Sequence, residues 1–222
     1  MKVYLSPSIQ LNNVGAGDYG TESFRMNQVA DVVARQLARH GIEVYRNTTE
    51  MSLRQIVEHS NAVNPDIHFA IHSNASDGSA SGCEVFCYKA GAPGEDLAWD
   101  IYNSLVSIDP VGGRGVKEGY NYYGNGKHMY EVAYTNAPAA LVEIDFHDNA
   151  SQAKWIVENI EAIGTALAKG ILKNLKIAYI PDKVNPSITY RVMCGSFKDK
   201  NNAFKRVEEL EKLGFDSMIM KV

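Results

Sequence analysis

Cysteine is scarce: the 222 residues hold three, with no CxxC pair and none of the Cys/His spacings of a structural zinc site. Cys83 and Cys87 share the stretch GCEVFCYK, which reads as a strand. About 13 Å of strand would part them, too far for a disulfide. Cys194 lies elsewhere, where a long-range bridge stays open, and three such thiols suit a reducing compartment. Long hydrophobic runs are also missing. Nothing approaches the roughly 20 apolar residues of a membrane span, so no membrane insertion is expected. The opening MKVYLSPSIQ lacks the apolar core of about 7–15 residues that marks a secretory leader; synthesis and folding in the cytoplasm, without a signal peptide, are the expectation. Excess positive charge is absent too. The net charge is −4 and the pI near 5.9, which gives no reason to expect nucleic acid as a partner. No internal repeat or low-complexity tract appears.

What remains is ordinary globular composition, 45% hydrophobic and 22% charged, in a chain long enough to bury a sizeable core. KVYLSP reads as a first strand. Thr21 can cap a helix through ESFRMNQVADVVARQLARH, whose Met26, Val29, Val32, Val33 and Leu37 share one 3.6-period face, with Gly41 as the stop. IEVYRN is a second strand. Ser52 opens a second helix that ends before Pro65. DIHFAIH and GCEVFCYK read as strands, GEDLAWDIYNSLVSI as a helix, and RGVKEG as a short extended piece. HMYEVAYT and AALVEIDF are predicted strands flanking NAPA. Residues 150–175 form one predicted amphipathic helix, capped by Asn149 or Ser151. Strands alternating with helices predict an α/β fold with a mixed, largely parallel sheet flanked by helices. Ligand sites in such sheets lie beyond the carboxyl ends of strands.

Three stretches place acids or imidazoles at element ends: GDYGTESFRMN, FAIHSNAS and ALVEIDFHDN. Glu22 begins the first predicted helix, where a carboxylate suits the helix dipole. His72 ends an apolar strand. Glu143 sits inside the apolar run AALVEIDF, where an unpaired carboxylate would be costly to bury. Taken together, imidazole and carboxylate are the ligand types of zinc, and a free carboxylate beside them suits a general base. The other histidines have plainer readings. His68 is four residues before His72, with about 13 Å of strand between them, so joint chelation is not expected. His40 ends a helix and His59 lies on a helix surface.

This ordered set resembles the amidase-3 family of zinc-dependent N-acetylmuramoyl-L-alanine amidases, which cut the amide between the muramic-acid lactyl group and L-alanine in peptidoglycan. KVYLSPS, GTESFRMNQVADVV, FAIHSNAS and PAALVEIDFHDN carry the likeness in order, over roughly residues 2–175. The resemblance implies Zn2+ as cofactor, Glu22 and His72 as metal ligands and Glu143 as the catalytic carboxylate. One departure stands out. The family usually places a ligand histidine after the first strand in a Gly-His-Gly context, whereas this chain has SPSIQLNN there. A branch of the family opens with Ser-Pro-Ser-x-Gln, so Gln10 is a candidate third ligand; His128 in NGKHMYEV, or water, are the alternatives. Asn74, His128 and His147 are candidate substrate contacts. Lys127 and Arg114 are candidates to meet peptide carboxylates, and YNYYGNG is a candidate cleft wall.

The resemblance implies an amidase catalytic domain over 1–177, a Pro-containing linker over 178–187, and a segment over 188–222 similar to the first β-α-β unit of a SPOR domain, a glycan-binding module. A complete module has two such units, so the tail is expected to dock, to dimerise with a second copy or to bind glycan only by combining halves. Peptidoglycan is the implied partner, reached as an endolysin or autolysin after release from the cell. Two other readings compete: an amidase-like protein that binds wall peptides without cutting them, and a cytoplasmic zinc carboxypeptidase.

Overall fold

The computed structural model of the protein describes residues 1–181, 193–215 and 217–219. Alternating β-branched and aromatic residues build six strands: β1 (Lys2–Pro7), β2 (Glu43–Arg46), β3 (Ile67–Asn74), β4 (Cys83–Cys87), β5 (Gly113–Glu118) and β6 (Ala139–Phe146). They form one sheet in the order β2-β1-β3-β6-β4-β5. Every pairing is parallel except β4 with β6. The expected mixed, largely parallel α/β architecture is therefore what the chain adopts.

Six helices flank the sheet: α1 (Glu22–Arg39), α2 (Leu53–Val63), α3 (Glu95–Val106), α4 (Tyr130–Tyr134), α5 (Ala150–Glu158) and α6 (Ile160–Asn174). The Thr21 side chain accepts from the Phe24 amide and starts α1. Ser52 and Gln55 form a reciprocal capping box that starts α2. The apolar stripe of α1 buries Met26, Val29, Val33 and Leu37 against Val3, Leu5, Phe69 and Ile71 of the sheet, with residues of α3 and α6 in the same core.

Strand alternation gives the two sheet faces opposite characters. Ile67, Phe69 and Ile71 of β3 and Ala140, Val142 and Ile144 of β6 face the large core. Their neighbours His68, Ala70, His72 and Asn74, with Ala139, Leu141 and Glu143, take the other face. There a second, smaller cluster of Ala70, Phe86, Met129, Val132, Ala139 and Leu141 lies. The chemistry-bearing side chains thus occur on the lightly covered face, toward the carboxyl ends of β3 and β6.

Two elements differ from their sequence patterns. HMYEVAYT is not a strand; its middle is the short helix α4. Tyr and Val favour strands, but Met129 and Val132, three residues apart, both bury in the smaller cluster, and five helical residues are too few for that period to be legible. The single helix over 150–175 is two helices meeting at Asn159, which ends α5 and precedes α6. The Asn159 side chain donates to the Trp155 carbonyl, the kind of local bond with which Asn competes against helix continuation. Asn149 is the cap of α5, accepting from the Ser151 and Gln152 amides.

Residues Pro181–Val222 form a second unit. Its helix α7 (Lys200–Lys212) begins at Asp199, whose side chain accepts from the Asn201 amide, and none of its described residues is buried. The strands expected around it are not seen in Met193–Phe197 or in 217–219; the rest of both stretches, and linker residues 182–187, lie outside the described residues. No described helix is long and apolar enough to cross a membrane.

Helix α6 approaches α3 closely at Gly170, where an added Cβ would stand 2.6 Å from the Ile101 Cα and 2.9 Å from the Asp100 carbonyl oxygen. Both neighbours are backbone and cannot step aside. Gly170→Ala is expected to lower the urea midpoint by the equivalent of about 1–3 kcal/mol of overpacking, despite the ~1 kcal/mol that alanine gains in helix propensity. An unchanged midpoint would mean that the two helices part freely.

Candidate active site

Glu22 stands in the first turn of α1, just beyond the carboxyl ends of β1 and β3. Its side chain is 1% exposed, so its charge needs partners. The His72 Nδ1 donates to Glu22 Oε1 at 2.8 Å. Asn13 Nδ2 donates to Glu22 Oε2 at 2.7 Å. Burial alone would raise the Glu22 pKa, but His72, Asn13 and Ser8 outweigh it and hold the carboxyl below its usual value. His72 keeps 17% of its side chain exposed. Desolvation pulls its pKa down, yet Glu131 and Glu22 together hold it well above the usual imidazole value. Chain segments 50 residues apart are thus joined by one ion pair.

Glu143 is paired with His72 in the parallel register of β3 and β6, and with Glu84 in the antiparallel register of β4 and β6. Its Oε2 is sealed from solvent and has no hydrogen-bond partner among the described residues. Burial, helped by the Glu22 and Glu84 charges and opposed by His72, pushes its pKa up to about 8. Glu84 differs although it neighbours Glu143: it accepts from Arg114 Nε at 2.9 Å, from Lys117 Nζ and from Asn74 Nδ2 at 2.9 Å. Among the described residues, one carboxylate on this face is saturated with donors and the next has none, an asymmetry that suits proton exchange at Glu143.

The remaining sequence-predicted residues take different places. Gln10 is exposed; its Oε1 lies 3.5 Å from Asn13 Nδ2, one residue removed from Glu22. His128 is turned into its own loop. Its Nδ1 accepts from the Asn121 amide at 2.8 Å, and its ring stacks on Tyr120 with centroids 4.8 Å apart. Among the described residues no bond joins it to Glu22 or His72. His147, a candidate substrate contact, is fully buried. Its Nδ1 pairs with Ser73 Oγ at 2.9 Å and its Nε2 with Asn13 Oδ1 at 3.1 Å, and burial pushes its pKa down. His147 therefore props the Asn13 amide that in turn holds Glu22. His59 is not a free surface residue either: its Nδ1 meets the Tyr4 hydroxyl at 2.9 Å. Arg114 stands on Glu84, while Tyr122 and Tyr123 are exposed, Tyr122 set edge-on to Phe86.

Two residues escaped sequence reasoning. Asn13 passed as loop filler, and nothing in LNNV marks it. Glu131 passed as part of a strand. It is 4% exposed, with Oε2 2.9 Å from His68 Nε2 and Oε1 4.0 Å from His72 Nε2. The signal was there: an acid inside the apolar stretch MYEVAY is as anomalous as Glu143 inside AALVEIDF.

A zinc ion needs nitrogen and oxygen donors converging at about 2.0–2.2 Å. Glu22 Oε1 and His72 Nδ1 already converge, with the amides of Asn13 and Gln10 alongside, so the donor chemistry fits. No set of three His, Cys, Asp or Glu side chains completes a metal cage among the described residues.

The N-acetylmuramoyl-L-alanine amidase profile, Amidase_3, matches residues 10–173. The sporulation-specific N-acetylmuramoyl-L-alanine amidase of Bacillus subtilis (strain 168) is 24% identical over 227 residues, covering 99% of this chain and 84% of that protein. Among solved structures, the N-acetylmuramoyl-L-alanine amidase AmiC2 of Nostoc punctiforme superimposes with a TM-score of 0.68 at 25% identity, over 79% of this chain and 97% of that one. Cwp6 from Clostridium difficile gives a TM-score of 0.69 at 28% identity, over 78% of this chain and 29% of that one. The chain belongs to the N-acetylmuramoyl-L-alanine amidase family, enzymes that hydrolyse the bond between N-acetylmuramic acid and L-alanine in peptidoglycan.

Proposed function

We propose that the protein is a zinc-dependent peptidoglycan amidase, with the metal held by Glu22, His72 and an amide oxygen and with Glu143 as the base. The observation that carries this reading is the orphaned carboxylate oxygen of Glu143 on the same sheet face as the Glu22–His72 pair. When bound, zinc supplies the positive charge that acidifies water and polarises the lactyl carbonyl. Glu143 takes the proton of the attacking water on its carboxylate and returns it to the departing alanine nitrogen. Its raised pKa suits both halves of that exchange, because a base that titrates near the working pH also gives the proton back readily. His72 must yield its Nδ1 proton for the metal to enter, so uptake is expected to release protons and to weaken as pH falls. Lysis of a cell wall, as an endolysin or an autolysin, is the setting this chemistry fits.

The missing third imidazole favours one alternative: an amidase-like protein that holds wall peptides with little turnover. Metal content and product release separate the two. Wild type is expected to bind one zinc and to free alanine amino groups from purified peptidoglycan. Glu22→Gln and His72→Ala are expected to abolish stoichiometric zinc, and Gln10→Ala to weaken it. Wild type with full zinc and no amino-group release would leave the binding reading in possession.

Glu143→Gln is expected to keep the zinc and to cut amidase turnover by about 10²–10⁴-fold, the usual weight of a general base. Stability should move the other way. The Glu143 pKa, raised to about 8 by burial, lies above that of an unfolded glutamate, so the folded chain binds the extra proton. Folding therefore loses stability as pH rises from about 4.5 toward 8. Glutamine removes that loss. With chelator present, Glu143→Gln is expected to melt about 2–4 °C above wild type at pH 8, the shift that ~1 kcal/mol makes in a chain this long, and to converge with it near pH 4. A variant that melts below wild type at pH 8 would show that the buried carboxyl stabilises the fold.

A further inference from the structure

The proposed chemistry leaves one buried acid unused. Glu131 rises from α4 between two histidines of one strand, His68 and His72, with Ala70 as the small residue separating them on that face. One carboxylate addresses both rings: Oε2 accepts from His68 Nε2 at 2.9 Å, and Oε1 faces His72 Nε2 at 4.0 Å. His68 is anchored in turn, its Nδ1 2.9 Å from Ser60 Oγ on α2, and its ring stacks on Tyr4 with centroids 5.3 Å apart. The α4 backbone is tied down as well, since Thr135 Oγ1 donates to the Glu131 carbonyl oxygen at 2.7 Å. Four elements therefore fix where this carboxylate points.

An imidazole can offer either nitrogen to a metal, and the partner of the other nitrogen decides which. In His72 the Nδ1 edge faces Glu22 and the Nε2 edge faces Glu131. We propose that Glu131 is a positioning residue for the metal site: pinned by His68 and Ser60, it keeps the hydrogen of His72 on Nε2 and so presents Nδ1 to the zinc shared with Glu22. The proposal rests on the zinc reading above. Fold stabilisation alone does not account for the pair, because buried hydrogen-bonded partners are often replaced together by apolar side chains of similar volume without loss. An apolar pair would hold α4 against the sheet, but it would not select one imidazole tautomer. The arrangement also compensates for the weak third donor, since a carboxylate behind a ligand imidazole makes that nitrogen a stronger donor.

Zinc affinity and tautomer test it together, both without reference to turnover. Glu131→Gln removes the charge, and the double variant Glu131→Leu with His68→Phe replaces the pair while keeping the pocket filled. Competition with a chromogenic chelator is expected to show zinc bound about 10–100-fold more weakly by both. Nitrogen-15 NMR of zinc-loaded wild type is expected to show the His72 hydrogen on Nε2. Variants that bind zinc within about twofold of wild type, against the ten-fold minimum expected, overturn the inference, as does a hydrogen found on Nδ1. Variants that both unfold overturn it too, because the pair would then hold the fold rather than the ring. A wild type that takes up no zinc is a separate result: it removes the metal reading itself.

Discussion

Glu22 has 1% of its side chain exposed and keeps its charge because His72 Nδ1 lies 2.8 Å away. Neither residue is tolerable there alone, since a carboxylate stripped of water needs compensation that only a few groups provide. The rest of the site follows from this pair. Asn13 reaches Glu22 because His147 holds its amide from behind, and His147 is held by Ser73 on the strand that carries His72. The loop between β1 and α1 is thereby closed onto the end of β3 by polar contacts in addition to the apolar packing of Tyr19. Such a closure is directional: it fixes where donors point, which an apolar core does not. It also makes the site depend on residues far from any substrate. Tyr19, buried in the same loop, bonds Ser73 Oγ at 2.5 Å and stacks on His147, so even the aromatic ring at the back of the loop acts on the orientation of Glu22.

Much of this was legible in the sequence, for a simple physical reason. Strands that bury one face and set chemistry on the other alternate, and helices that cover the buried face repeat every three or four residues. KVYLSP, FAIHSNAS and AALVEIDF are short apolar runs interrupted by single polar residues, and the stripe from Met26 to Leu37 repeats. Glu143 stood out as an acid inside an apolar run and His72 as an imidazole ending an apolar strand, whereas Glu22 was an ordinary first-turn acid until the family likeness singled it out. Glu131 obeys the same logic but was hidden, because five helical residues are shorter than the repeat that would identify them. Asn159 breaks a helix that periodicity runs straight through, since a cap is one residue and a stripe is many. Asn13 and the inward turn of His147 depend on contacts 134 residues apart, which no local pattern contains.

The placement of the chemistry on the thinner face of the sheet also resolves an apparent conflict between stability and reactivity. The large core of α1, α3 and α6 against the sheet is apolar and needs no help from charged groups. It can therefore bear the cost of a neighbouring face on which one carboxyl, Glu143, is held without a donor. Had the same acid been set on the core face, every helix would have had to open a polar path to it. On the lightly covered face the strain stays local: Glu84, next to Glu143 in register, is fully neutralised by Arg114 and Lys117. Among the described residues, donors thus gather on Glu84 and not on Glu143. This division of labour is a property of strand alternation itself. A parallel sheet whose strands end at one edge can keep one side for cohesion and spend the other on groups that cohesion would reject.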